Sequence, residues 1–172
     1  MRQYKKMELL PLSLCDAAAI EHLLDAAFGA DRRQRTAYKL RDGVDFVPAL
    51  SFGLLNGTAL VGSIQCWPVM LKEHSFPLIL VGPVAVSPMY QNQGIGHKLM
   101  HAALDAAAVR GDPHMVMIGD PEYYERFGFF AGAGNGWTLP GPWETRRLLL
   151  RNMNDTILPE SGTIAPDFAF AL

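Results

Sequence analysis

The chain of 172 residues is poor in cysteine, in charge and in long apolar runs. Its two cysteines, Cys15 and Cys66, are too few for a disulfide framework, so a reduced, cytoplasmic setting is expected. Charged residues make up 19% of the chain and the net charge is −2, which provides no bulk attraction to nucleic acid or to an anionic membrane. No apolar run approaches the roughly 18 residues of a membrane span. We therefore expect a single domain, residues 1–172, without nucleic-acid or membrane partners.

Residues 78–96 form the stretch around which the other segments are arranged. Two apolar runs, residues 78–81 and 84–86, predict a strand that is buried on both faces. Gly82 and Pro83 interrupt these runs, and they predict a kink that leaves backbone groups unpaired. Pro88 ends the strand, and Gly94 and Gly96 open a helix rich in alanine.

The two glycines at the start of this helix indicate a phosphate site. A helix N-terminus presents free N–H groups and a partial positive charge, and glycine allows a ligand to approach the backbone. A dinucleotide-binding motif would need a third glycine where Leu99 stands, and a P-loop would need Ser or Thr after a lysine that directly follows the glycine. Spacing alone leaves open a tight strand–helix connection that binds nothing.

Two motifs in the correct order resemble a known family. The first is Gln91-x-x-Gly94-x-Gly96 after a Val84-Ala85-Val86-x-Pro88 strand, and the second is Tyr124-x-x-x-Gly128-Phe129. Together they resemble the acyl-CoA signature and the strand–helix–strand end of the GNAT N-acetyltransferase superfamily. Two further segments, at residues 119–124 and 139–142, resemble its YhbS-like branch.

This resemblance implies an α+β fold with a mixed, largely antiparallel sheet and helices on both faces. It also implies that the strand at residues 78–86 splays apart from the one at residues 115–119, with acetyl-CoA entering the gap. The pyrophosphate would lie on N–H groups of residues 93–97, and the pantetheine arm would pair with the backbone of the central strand. The implied cofactor-binding residues are Val84, Ala85, Val86, Gln91, Gln93, Gly94, Ile95, Gly96 and His97.

Tyr124 is the predicted catalytic residue, carried over from its place four residues before Gly128. A neutral amine attacks the thioester, backbone N–H groups stabilise the oxyanion, and the leaving thiolate benefits from a proton donor because a thiol has a pKa of about 8.5. The alternatives are that Tyr124 is a buried aromatic or that Tyr123 has this role. No base is evident beyond Asp120, Glu73 and His74, so solvent remains an alternative.

The other segments predict the remaining elements. Ser13 and Asp16 resemble a capping box for a helix that ends before Gly29. Asn56-Gly57 between apolar runs indicates a hairpin of residues 51–55 and 60–69. The further predictions are a first strand at residues 4–10, a second helix at residues 31–43, and late strands at residues 137–139 and 147–150. The basic run of the second helix is expected to be a solvated face, and the alternative is that it helps to hold an acidic acceptor or a CoA phosphate.

A metal site is the alternative for His97, His101 and Asp105, which share one helix face. Zinc accepts such ligands, but the segment lacks the glutamate of a His-Glu-x-x-His site. A solvated polar stripe without metal is therefore expected.

The function that the resemblance implies is acetyl-CoA-dependent N-acetylation of a primary amine on a small molecule or peptide. The alternative is a catalytically weak acyl-CoA-binding sensor or docking module. In the predicted acceptor pocket, Asp120 and Glu73 would bind an ammonium. Aromatic residues either form its walls or belong to the core or to a homodimer interface: Trp67, Phe76, Trp137 and Trp143.

Overall fold

The strand at which the sheet divides is β4, Phe76–Val86, and it contains the apolar stretch described above. The computed structural model describes residues 6–112 and 114–170. The helices are α1 (Ala17–Phe28), α2 (Thr36–Lys39), α3 (Ile95–Arg110) and α4 (Pro121–Tyr124). The other strands are β1 (Met7–Pro11), β2 (Phe52–Asn56), β3 (Ala59–Leu71), β5 (His114–Ile118), β6 (Phe130–Ala131), β7 (Trp137–Thr138), β8 (Leu148–Asn152) and β9 (Gly162–Pro166).

The main sheet has the strand order β1-β2-β3-β4-β5-β8-β6. The pair β4–β5 is parallel, and the other pairs along this order are antiparallel. Strand β9 adds antiparallel to the end of β3 and carries β7 in parallel beside it. The mixed, largely antiparallel sheet predicted from the sequence is therefore confirmed.

A bulge interrupts β4 where the sequence predicts a kink. The register of β3 against β4 shifts between Ile64 and Cys66, and there Gly82 and Pro83 stand opposite one residue, Gln65. Gly82 has a φ of +122°, and its peptide bond to Pro83 is cis. An extra residue in one strand leaves local backbone groups unpaired and changes the phase of the side chains that follow.

The bulge reverses which residues of β4 face α3. Ile79 and Val81 pack into the core beneath α3, and after the bulge Val84 and Val86 pack against this same core. Ala85 faces the other side, where it packs with α1. Helices therefore cover both faces of the sheet, as predicted, and β4 is apolar on both faces.

Strands β4 and β5 separate soon after they meet. Their parallel pairing joins Ile79 to Met115 and Leu80 to Val116, and the register given for the described chain extends no further. Beyond this point β5 continues along β8 as far as Ile118, whereas β4 continues along β3. The predicted splayed strand pair is confirmed.

The N-terminal elements differ in detail from the prediction. Of the predicted first strand, Tyr4 and the residue after it lie outside the described residues, and β1 extends to Pro11. Asp16, not Ser13, caps α1, because its carboxylate accepts a hydrogen bond from the Ala19 N–H at 3.0 Å. The predicted helix end at Gly29 is confirmed by its φ of +91°.

The predicted second helix is wrong. Residues Arg32–Gln34 form a 3₁₀ turn and α2 is a separate single turn, with Arg35 extended between them. Arg32 is only 2% exposed and binds the carboxylates of Glu21 and Asp25 on α1, so the basic run is not a wholly solvated helix face. These contacts with α1 override the helical pattern of the sequence.

The described parts of the chain, residues 6–112 and 114–170, contain no helix that is both long and apolar enough to cross a bilayer.

Candidate functional site

A cleft of about 850 Å³ opens where β4 and β5 separate. Four segments form its walls: the end of α1 through α2 to Arg41, the middle of β4, the end of β5 through Tyr124, and the loop before β8. Its volume lies in the range of small-molecule sites, about 300–1,000 Å³.

The backbone of β4 offers free groups to this gap. Ser87 donates its N–H to the Val61 carbonyl at 2.8 Å. Hydrogen-bonded pairs alternate along an antiparallel ladder, so Ala85 is the next residue bonded to β3. The N–H and C=O groups of Val84 and Val86 consequently point away from β3. On that side the described part of β5 pairs only with residues that precede the bulge.

Tyr124 lies in the cleft because Gly119 makes room for its ring. A Cβ on Gly119 would be 2.7 Å from Cε2 of Tyr124, so only glycine allows the ring to lie over the end of β5. Burial raises the pKa of Tyr124 to about 12, so its hydroxyl is protonated at neutral pH. Tyr123 does not line the cleft. Its hydroxyl lies instead near Gly96 on α3.

The start of α3 has the geometry of an open helix terminus. Gly94 is the N-cap residue with a φ of +76°, and the Lys98 N–H bonds to the Gly94 carbonyl at 3.1 Å. The N–H groups of the first turn, residues 95–97, therefore have no partner within the helix. A Cβ on Gly94 would meet no atom within 4 Å, and one on Gly96 would lie 3.6 Å from the Tyr123 hydroxyl.

The predicted cofactor residues divide between the cleft and this terminus. Val84 lines the cleft with Tyr124, whereas the residues of the glycine motif do not line it. Gln91, Gln93 and Gly94 are exposed at the helix start, as is the side chain of His97. The side chains of Ala85 and Ile95 are buried in the core, so they offer a ligand only their backbone atoms.

Edge-to-face contacts between aromatic rings connect the helix start to the cleft. The His97 ring packs edge-on against Tyr123 with centroids 5.9 Å apart, and Tyr123 packs against Tyr124 at 4.8 Å. His97 and His101 both contact Phe127, at 5.3 and 5.5 Å. Within the described residues, no group of three or more His, Cys, Asp or Glu side chains is arranged to hold a metal ion.

The predicted aromatic walls are mostly wrong, because only Trp143 of the four lines the cleft. Trp137 is buried in the core beside β9 and donates its indole N–H to the Pro159 carbonyl at 2.8 Å. Phe76 packs against His114 at 4.9 Å, and Trp67 packs against Phe46 at 6.1 Å. Side-chain alternation directs these three residues into packing contacts away from the cleft, and alternation cannot be assigned before the register is known.

Of the two carboxylates predicted to bind an ammonium, one lines the cleft and the other lies outside it. Asp120 lines the cleft, 3.6 Å from Nε of Arg147. Glu73 lies instead at β9, where it accepts hydrogen bonds from the N–H and hydroxyl of Thr163 at 2.7 and 2.8 Å. These bonds lower the pKa of Glu73, and neighbouring His74 bonds to the Ser161 carbonyl. Neither Glu73 nor His74 lines the cleft, so their predicted roles are wrong.

The sequence analysis favoured a solvated face for most arginines of the cleft, with an acidic acceptor or a CoA phosphate as the alternative, and it missed Arg147. Four arginines line the cleft, together with two acidic residues: Arg32, Arg35, Arg41, Arg147, Asp120 and Glu144. The basic run was visible in the sequence, but its position opposite β4 depends on the packing of α1. Cys66 is fully buried and burial raises its pKa, so it is an inert thiol.

Comparison with known proteins places this geometry in a family. A family model described as the acetyltransferase (GNAT) domain matches residues 11–131. The uncharacterized N-acetyltransferase YhbS of Escherichia coli strain K12 is 30% identical over 118 residues, which are 66% of this chain and 68% of that protein. The uncharacterized N-acetyltransferase YjhQ of the same strain is 30% identical over 130 residues, 74% of this chain and 72% of that protein.

Two solved structures share the fold over nearly the whole chain. The GNAT family N-acetyltransferase YhbS from Escherichia coli, in complex with CoA, has a TM-score of 0.71 and 24% identity, covering 94% of this chain and 89% of that one. A GNAT family acetyltransferase from Brucella melitensis, in complex with acetyl-CoA, has a TM-score of 0.70 and 25% identity, covering 97% and 99%. These neighbours contain the cofactor that the sequence predicts.

The chain belongs to the GNAT acetyltransferase family. Its similarity to YhbS agrees with the branch predicted from the sequence, and the prediction of an acetyltransferase is confirmed at the level of the family.

Proposed function

We propose that this protein transfers the acetyl group of acetyl-CoA directly to a primary amine of a small molecule or peptide. One observation supports this most strongly: the free backbone groups of Val84 and Val86 face the gap between β4 and β5, and Tyr124 lines the cleft that opens there. A thioester held along β4 would therefore meet a proton donor at the end of β5.

Acetyl-CoA binding uses two parts of the chain in this proposal. The pyrophosphate lies at the N-terminus of α3 on N–H groups of residues 93–97, where those of residues 95–97 have no partner within the helix and the helix dipole favours an anion. The pantetheine arm contains amide groups, and these pair with Val84 and Val86 in the manner of an added strand. Gln91 and Gln93 flank the phosphates from the exposed loop before the helix.

The chemical step needs one proton transfer on each side of the thioester. The neutral amine attacks the carbonyl carbon, and N–H groups of β4 stabilise the oxyanion that forms. When the C–S bond breaks, Tyr124 donates its proton to the thiolate. The attacking nitrogen loses a proton, which returns the tyrosinate to tyrosine through solvent. The sum is one amide and one free thiol.

Solvent is the proposed proton acceptor. Asp120 is the candidate carboxylate at the cleft, and it faces Arg147, whose Nε lies 3.6 Å away. Glu73 and His74 bond elsewhere.

We also propose that residues 1–172 act as one cytoplasmic domain, and light scattering would decide between a monomer and a homodimer.

Replacing Gly96 by valine tests the phosphate site. Gly96 does not require a positive φ, and its Cβ would make an ordinary contact at 3.6 Å, so the fold should survive. The added side chain projects into the proposed pyrophosphate site, and we expect calorimetry to show CoA affinity at least tenfold weaker than in the unmodified protein. Ala108→Val is the matched control on an exposed position of the same helix, and it should leave CoA affinity unchanged.

Unchanged CoA affinity in a folded Gly96→Val protein would contradict this site. The same preparations should release thiol from acetyl-CoA when small amines, amino acids or peptide N-termini are added. Tight acetyl-CoA binding without thiol release across this panel would favour the sensor or docking module.

A further inference from the structure

Arg41 is a cation in the cleft wall, and it forms no ion pair with a carboxylate in the part of the chain that the structure describes. Its guanidinium lies over the Tyr38 ring at 4.0 Å and near the Trp67 ring at 5.4 Å. Its Nε is buried and makes no hydrogen bond with the described residues. Burial also lowers the pKa of Arg41, which reflects the cost of holding this charge away from water.

The nearest acids on α1 are already engaged. Glu21 binds both Arg32 and Arg33, and Asp25 binds Arg32 at 2.8 Å. Arg41 therefore lies next to an ion-pair cluster whose two carboxylates are shared by two other arginines.

The remaining charges on the cleft leave a positive excess. Arg147 lies beside Asp120, whereas Arg35 donates to the Phe28 carbonyl at 3.2 Å and forms no ion pair with a described carboxylate. Glu144 is the second acid on the cleft wall. A pocket with two arginines that lack carboxylate partners attracts an anionic ligand and disfavours a polycation.

These arginines share the cleft with the reacting groups. Arg35 and Arg41 line the wall formed by the segment after α1, and Val84 and Tyr124 line the walls formed by β4 and the end of β5. The proposed pyrophosphate site at the start of α3 does not line this cleft. An anion on these arginines would thus belong to the acceptor and not to the phosphates of CoA.

We propose that the acceptor is an amine that also bears a carboxylate, and that Arg41, with Arg35 beside it, binds this carboxylate while the amine faces the thioester gap. The inference rests on the proposed acetyl transfer and names its substrate class. A guanidinium offers a planar pair of donors that matches a carboxylate. A singly charged group is also a closer match than a phosphate dianion, because Asp120 and Glu144 lie on the same cleft.

Matched acceptor pairs test this proposal on the unmodified protein. Amino acids and their carboxamides share the side chain and differ in the carboxylate, and because a carboxylate also raises the pKa of the neighbouring amine, their rates are compared per concentration of neutral amine. We expect the acids to have at least tenfold higher kcat/KM in thiol release, and to bind the CoA complex at least tenfold more tightly in calorimetry. Equal or better use of the carboxamides would overturn the proposal, as would a preference for phosphoethanolamine over every carboxylate.

Variants then locate the contact. Arg41→Gln should raise KM for the acid about tenfold or more, leave KM for the carboxamide within about twofold and leave KM for acetyl-CoA unchanged. Arg35→Gln is a second test at an exposed residue, with a smaller rise expected. Arg33→Gln removes the same charge outside this cleft and should behave like the unmodified protein. A rise in KM for acetyl-CoA alone would assign these arginines to CoA and overturn the proposal.

The two readouts separate this inference from the proposed function. Tighter binding of acids without any thiol release would support the carboxylate site and contradict acetyl transfer. Thiol release with amines irrespective of a carboxylate would support acetyl transfer and contradict the carboxylate site.

Discussion

Gly119 and Tyr123 both contact the ring of Tyr124 and determine its position in the cleft. Gly119 leaves space for its ring, and Tyr123 packs edge-on against it at 4.8 Å. This environment buries the phenol and raises its pKa to about 12, so the hydroxyl is available as a hydrogen-bond and proton donor across the neutral range. The raised pKa keeps the phenol in its protonated form but also makes it a weaker acid, so its proposed role depends on its position at the cleft and not on its acid strength.

Replacing Tyr124 by phenylalanine should lower kcat about a hundredfold, because a positioned acid contributes about 10²–10⁴. KM for acetyl-CoA should change little, since the ring is retained. Thiol release with one good acceptor measures both values. Tyr123→Phe is the control and should remain close to the unmodified protein, because Tyr123 does not line the cleft.

The dependence of activity on pH tests the protonation state of the Tyr124 hydroxyl. The pKa of Tyr124 is raised, so its protonated form persists until the pH approaches about 12. Activity of the unmodified protein should therefore rise with pH as the amine becomes neutral, without a falling limb between pH 7 and 10. Full turnover by Tyr124→Phe would contradict the assignment, and a falling limb between pH 7 and 10 that this variant abolishes would contradict the raised pKa.

At the scale of elements, local chemistry predicted the features that depend on neighbours in sequence. Gly82 and Pro83 predicted the bulge of β4, and Asn56-Gly57 predicted the hairpin, whose turn has Gly57 at a φ of +65°. Both are consequences of backbone constraints within a few residues. The start of α1 was predicted less well, because Ser13 and Asp16 are both residue types that favour the N-cap position. In the structure Ser13 lies in a 3₁₀ turn and Asp16 is the N-cap.

The cap of α1 gives a stability test. Asp16→Ala removes the acceptor of the Ala19 N–H and should lower the free energy of unfolding by about 1 kcal/mol. Ser13→Ala is the matched control and should have little effect, because Ser13 lies in a 3₁₀ turn before the helix. Urea unfolding measures both. A larger loss in Ser13→Ala than in Asp16→Ala would contradict the cap seen in the structure.

At the scale of the whole molecule, the sequence could not predict contacts between distant segments. Arg32 is buried because Glu21 and Asp25 come from another helix, and Trp137 is buried because β7 pairs with β9. Strand β9, which had no strong apolar pattern, was missed for this reason. The acceptor pocket was predicted with aromatic walls beside the basic segment, whereas in the structure arginines line the cleft and only Trp143 of the four aromatic residues does.

The two motifs, by contrast, placed the division between β4 and β5 correctly, because the family resemblance covers both sides of the gap. The residues predicted to bind the cofactor stay a prediction, with Val84 and Val86 directed into the gap and the glycine motif at the start of α3. The proposed acetyl transfer thus requires the cofactor to extend from the start of α3 along β4 to Tyr124.

A crystal structure of the protein with CoA tests this path most directly. We expect the pyrophosphate on the N–H groups at the start of α3, the pantetheine amides bonded to Val84 and Val86, and the sulfur within hydrogen-bond distance of the Tyr124 hydroxyl. A sulfur that lies outside the gap between β4 and β5, or that faces Tyr123 while Tyr124 remains covered, would contradict the account.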